Sequence, residues 1–229
     1  MNPSFLDILP IALLGGLLGL DVVSFPQAMI SRPLVAATLA GALIGHSPSG
    51  LLVGAALELI ALDTLPFGAS RYPEWGSAAV VGGAIFAAHP SHPAGAMEMA
   101  MIASLSTTWL GGWTMVKLRE RNAVWAAQRR DALDAGARGA VIDLQLLCMT
   151  ADYFRGALLA ALSYAVFAPL TTLMVNSWST DARISRAVVV TVAASVAASA
   201  AWKIFHGVSG ARWFFLGGLA VGLAIMGMR

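Results

Sequence analysis

Two carboxylates stand in one of the most apolar stretches of the chain. Residues 50–70, GLLVGAALELIALDTLPFGAS, carry Glu58 and Asp63 and contain no Lys or Arg. A carboxylate at the centre of a membrane-spanning helix costs about 2.5–3.5 kcal/mol on insertion scales, so something must offset the charge. An ionised carboxylate is purely an acceptor and can take two donors side by side. Adjacent hydroxyls of a pyranose are such a pair, and bonds to a charged acceptor are the stronger kind. A metal ion or a proton would also satisfy it, and so would a structural ion pair with Arg32 or Arg71.

The spacing restricts how the two can cooperate. Five residues at ~100° each place Glu58 and Asp63 ~140° apart on a helix, on different faces. Pro66 biases Leu65 away from helical geometry, and Gly68 loosens the chain further. Glu58 is therefore expected inside a short helix and Asp63 near its broken end, where unpaired backbone groups at membrane depth need water or a polar ligand. A second candidate cluster is HPSHP, with His89 and His92 three apart and Glu98 beyond. Imidazole and carboxylate can hold a divalent ion. Two prolines make this stretch a turn between helices, however, and two ligands do not close a site, so no metal site is expected.

The elements that position these residues follow from composition. Of 229 residues 58% are hydrophobic and 11% charged, against about one quarter charged in soluble domains. With a mean hydropathy of +0.76, the chain is expected to be an all-α, polytopic integral membrane protein. A net charge of +2, with basic residues mostly scattered, gives no nucleic-acid footprint. The single Cys148 excludes an internal disulfide and reads as a small buried hydrophobe. The N-terminus has Asp7 where a signal peptide would be basic, so it reads as a retained first helix.

A full span needs about 20 apolar residues. Candidates are 5–20, 78–88 with its flanks, 94–116, 154–175, 184–202 and 213–228. Between the first two lie 33–45 and 51–62, two apolar pieces each too short to cross, separated by HSPSG. Successive short segments interrupted by Gly and Pro indicate re-entrant hairpins or broken helices lining a site. Small residues recur at helix-packing spacing at Ala37/Gly41/Gly45, Gly50/Gly54, Gly15/Gly19 and Gly218/Gly222. Trp75, Trp109, Trp113, Trp178, Trp202 and Trp213 mostly flank spans, as interfacial anchors do. Trp75, close behind the Pro66–Ala69 segment (PFGA), could instead stack on a sugar ring. Arg155 is expected to snorkel to the interface.

Residues 117–143, KLRERNAVWAAQRRDALDAGARGAVID, hold six of the fourteen basic residues and four acidic ones. They read as an amphipathic helix or helical linker, cytoplasmic by the positive-inside rule. The expected organisation is a membrane region with the hairpins at 1–116, this linker at 117–143, and C-terminal membrane helices at 144–229.

SRPLVAATLAGALIG, followed by GLLVGAALELIALDTLPFGAS, resembles the N-terminal half of the membrane subunit IIC of the mannose/fructose/sorbose family of sugar phosphotransferase systems. The upstream LDVVSFPQAMIS is similar to the family stretch that carries an Asp and a Gln before the Arg-Pro pair, and the likeness covers 20–70 closely. YFRGALLAALSYAV, at 153–166, is similar to a later family helix. The resemblance implies a bacterial cytoplasmic-membrane, multi-pass subunit that translocates sugar as it is phosphorylated. It implies a second membrane subunit, IID, cytosolic IIA and IIB phosphocarriers, and assembly as an oligomer of IIC–IID pairs. It implies no cofactor. The phosphoryl donor is a histidine on IIB, and no GxxxxGK[ST] loop occurs here.

Position by position, Glu58 matches the family's Glu/Gln in the short helix, and Gln27, Arg32 and Pro33 match the segment before the first hairpin. Asp63 stands where many relatives have a small residue, and His46 where an acidic one is common. Gln27, Arg32, Glu58 and Asp63 are thus the expected sugar-site residues. Two other classes remain open: a non-transporting membrane scaffold or degenerate paralogue, and an ion-coupled or metal transporter.

Overall fold

The computed structural model describes residues 3–62, 72–91, 93–178, 181–205 and 207–227. Within them the chain is helical and contains no strand. The helices are α1 (Phe5–Asp21), α2 (Pro33–Ile44), α3 (Ser47–Ala61), α4 (Gly76–Ala87), α5 (Ala96–Ala127), α6 (Arg130–Asp134), α7 (Arg138–Ser177), α8 (Ala182–Phe205) and α9 (Ala211–Gly227).

The expected short-helix hairpin is α2–α3. Pro33 opens α2, where a missing N–H costs nothing. Gly45 closes it in the left-handed region at φ 92°, and His46 N–H returns to the Gly41 carbonyl at 2.7 Å. The break is narrower than HSPSG suggested, because Ser47 already begins α3. At 1.5 Å per residue the two helices are ~18 and ~22 Å long, short of a ~30 Å hydrocarbon core. They pack nearly backbone to backbone: a methyl on Gly50 would fall on the Ala37 carbonyl, and one on Gly54 would lie 2.8 Å from the Pro33 carbonyl.

The expectation of a span at 78–88 is corrected. α4 has 12 residues, all buried, and α1, α2, α3, α5 and α7 all pack against it. It is too short to cross and serves as the core of the bundle. Gly76 admits the Leu18 carbonyl and Gly83 the backbone of Ala37. α1 lies along α7 through Gly15 and Gly16, which face Ala160 and Tyr153. Small-residue packing therefore holds at Gly15, Gly19, Gly41, Gly50 and Gly54. Gly45 is a helix stop with open space around it, and Gly218 and Gly222 on α9 meet nothing within 4 Å.

α7 is the one helix, among the described residues, long and apolar enough to cross a bilayer by itself. Along it Phe154, Leu158, Leu162, Val166 and Leu170 are all exposed, one apolar residue per turn on one face. A continuous stripe of that kind suits hydrocarbon, not water. Trp109, Trp113, Trp178, Trp202 and Trp213 also point outward. Trp75 does not: it belongs to the buried core, which corrects the anchor reading.

Residues 117–143 are the end of α5, the short α6 and the first turns of α7, so the polar linker is two long helices overrunning the bundle and joined by a turn. Because α7 packs along α1, α4 and α5, the parts before and after that turn share one bundle.

Candidate functional site

Arg32 precedes a proline and so is extended, with ψ 135°, which turns its side chain away from α2 toward α3. The hairpin returns Glu58, near the end of α3, to the start of α2. Arg32 donates from Nε to Glu58 Oε1 at 2.6 Å and also from its terminal nitrogen to the same oxygen. The Leu34 amide, one of the unpaired donors of the first turn of α2, reaches Glu58 Oε2 at 3.2 Å. Glu58 thus finds its partner in Arg32, and the pair is only partly covered, with 30% of the Arg32 and 18% of the Glu58 side chain accessible. The carboxylate, with about four acceptor directions, and the guanidinium, with five donors, keep unused valence. A ligand can hydrogen-bond to the pair without separating it.

Of the other expected site residues, Gln27 is exposed and its amide donates to the Val23 carbonyl at 2.7 Å, with no hydrogen bond to Arg32 or Glu58. Asp63 lies outside the described residues, as do Pro66, Gly68 and Arg71. His92 does too. His89 is paired through Nδ1 with the Ile85 carbonyl at 2.9 Å, and no group of three metal-capable side chains occurs among the described residues.

Sequence reasoning missed the polar framework behind the pair. Asp21, buried at the end of α1, accepts the amides of Ala28 at 2.6 Å and Ser31 at 2.8 Å. It pins the 22–31 loop, in which Gln27 and Met29 hold left-handed φ of 57° and 62°. That loop is tied to α7 by the Ser24 hydroxyl, which donates to Asp152. Arg155 is not a snorkelling residue: 9% of its side chain is accessible, and it donates from Nε to Asp152 at 2.9 Å. Glu74, fully buried, accepts the Ser77 amide at 3.0 Å through Oε1. Arg119 donates to the Tyr72 hydroxyl and stacks 4.6 Å from its ring centroid. The available signal was Asp152 and Arg155, an i, i+3 charge pair at the edge of an apolar run.

Residues 5–182 match the family model described as the sorbose-specific IIC component of the phosphotransferase system. A curated relative, the sorbose-specific EIIC component of Klebsiella pneumoniae, is 32% identical over 81 residues, 35% of this chain and 30% of that protein. Among solved structures, one described only as a membrane protein superposes with a TM-score of 0.68 at 17% identity, covering 99% of this chain and 93% of that one. The mannose transporter ManYZ in complex with microcin E492 superposes at 0.59 with 18% identity, covering 100% and 94%. At these identities the structural matches speak to the fold.

Proposed function

The chain belongs to the sorbose-specific IIC family of the phosphotransferase system, and from that premise we propose that it carries a mannose-, fructose- or sorbose-like sugar across the bacterial cytoplasmic membrane. Arg32 and Glu58 bind the sugar, with Asp63 and Gln27 as further contacts. The observation that carries this reading is the Arg32–Glu58 pair: partly open, with unused donors and acceptors, at the free end of two helices too short to span. Charge-assisted hydrogen bonds from both members suit vicinal hydroxyls.

Depth supports the same reading. Ser24 ties the 22–31 loop to Asp152, and the 25 residues from Asp152 to Ser177 rise ~38 Å, more than a hydrocarbon core. The loop therefore lies toward the end of the bundle that carries 117–143, the cytoplasmic end by its basic content. There a bound sugar is within reach of a cytosolic IIB phosphocarrier, itself charged by IIA, while this chain contributes binding and movement. The open small-residue face of Gly218 and Gly222 is suited to close packing against a IID subunit.

The test is sugar affinity and thermal stability of Glu58→Ala and Glu58→Gln, co-expressed with the IID-like subunit. Losing a charged acceptor should weaken sugar binding by about 1.5–3 kcal/mol, roughly ten- to a hundredfold, with partial retention in Glu58→Gln. Exposed ion pairs contribute only about 0–1 kcal/mol to stability, and this one is partly covered. Unchanged affinity with lowered stability would assign the pair to structure alone and leave the scaffold reading.

A further inference from the structure

A cavity of about 800 Å³ lies at the opposite end of the bundle from Arg32 and Glu58. It is walled by the start of α1, the end of α2, the end of α4 and the last turns of α7. α2 runs from Arg32 at its first turn to Leu43 and Ile44 at the cavity, ~18 Å away. The same end of α7 is remote from 117–143, so on the positive-inside reading the cavity faces outward.

Its size falls within the ~300–1,000 Å³ range of small-molecule pockets, and its walls are chemically mixed. Tyr164 is only 6% exposed, lines the cavity, and its hydroxyl has no hydrogen-bond partner among the described residues. The His46 imidazole and the Asn176 amide, also in the wall, likewise make no side-chain bond to described residues. His89 spends Nδ1 on Ile85, which leaves Nε2, and Asp7 receives Ser4 on Oδ2 alone. Ile11 and Ile85 supply an apolar floor. No Lys or Arg is among the described lining residues, so none of them offers a phosphate a fixed cation. No three-group metal cluster is present among the described residues either. A buried Tyr164 hydroxyl over an apolar floor, with exposed His46, Asn176 and Asp7 around the mouth, fits a neutral polyhydroxylated molecule.

We infer that this cavity is a second, outer binding site for a free sugar, occupied before the Arg32–Glu58 site and closed to the phosphorylated product. Its place in transport rests on the function proposed above; its binding does not.

The experiment is equilibrium binding of radiolabelled mannose, fructose and sorbose to the full chain with its IID-like subunit in nanodiscs. Wild type, Glu58→Ala, Tyr164→Phe, Asn176→Ala and the Glu58→Ala/Tyr164→Phe double variant are compared. Tyr164→Phe removes one oxygen at constant shape, so folding is preserved. The expected result is two sugar sites in wild type and one in Glu58→Ala, the remaining site weakening roughly three- to tenfold when Tyr164→Phe or Asn176→Ala is present, with mannose 6-phosphate failing to compete for it. Binding abolished by Glu58→Ala and untouched by the cavity variants would overturn the outer site while leaving the proposed function intact. Binding sensitive to Tyr164→Phe and indifferent to Glu58→Ala would establish the cavity and overturn the Arg32–Glu58 assignment. Equal competition by mannose 6-phosphate, or no binding of any of the three sugars, would overturn the inference.

Discussion

Asp152 and Arg155 offer a direct measurement of what burial does to an ion pair in this bundle. They are three residues apart on α7 with 2% and 9% of their side chains accessible, and the pair closes at 2.9 Å. Lys117 and Glu120 on α5 have the same spacing and the same 2.9 Å separation, but 57% and 60% accessibility. Truncating one partner of a buried pair strands a desolvated charge and costs about 3–5 kcal/mol, or ~10²- to 10⁴-fold in the folding equilibrium. An exposed pair at helical spacing contributes only about 0.3–0.5 kcal/mol. Asp152→Ala should therefore destabilise by about 3–5 kcal/mol, part of it through the lost Ser24 anchor. Lys117→Ala should change stability by less than about 0.5 kcal/mol. Arg155→Met should cost at least as much as Asp152→Ala, because it leaves the Asp152 charge without a cation while it interacts with a second buried carboxylate, Glu74. Asp152→Ala/Arg155→Met, which removes both charges, should be less destabilised than the sum of the single variants by about 0.5–3 kcal/mol. The assay is reversible unfolding in mixed micelles by detergent titration, followed by tryptophan fluorescence. If Asp152→Ala and Lys117→Ala cost the same, below 1 kcal/mol, then Arg155 reaches solvent and the buried framework does not hold the 22–31 loop.

Two glycines separate backbone conformation from packing. Gly45→Ala meets open space, so only the left-handed φ should matter, at about 1–2 kcal/mol; Gly50→Ala drives a methyl into the Ala37 carbonyl and should cost about 1–3 kcal/mol or more, with altered α2–α3 packing visible as faster proteolysis. For topology, a cysteine at the exposed Ala135 in a Cys148→Ala background should resist an impermeant maleimide added outside intact cells. Labelling from outside would reverse the orientation and place the outer cavity at the cytoplasmic face.

Much of this protein was legible in the chain because the relevant signals are local. The hydrocarbon solvent imposes apolar composition and length on every segment, so helical class, the two short helices at 33–45 and 51–62, and the polar turn at 117–143 could be read from hydropathy, Gly and Pro alone. Glu58 was conspicuous for the same reason: a charge in an apolar run has to have a partner. Which partner it has, Arg32, was not local, because it depends on a hairpin bringing together residues 26 apart. Tertiary packing also decided that 78–88 is a buried core helix and not a span. Hydropathy registers how apolar a segment is, but cannot say whether lipid or five neighbouring helices surround it. The same limit hid Asp21, Glu74 and the inward turn of Arg155. A polar residue at the end of an apolar run looks interfacial in sequence, and only the close approach allowed by Gly15, Gly19, Gly111 and Gly156 encloses these groups so that they must satisfy one another.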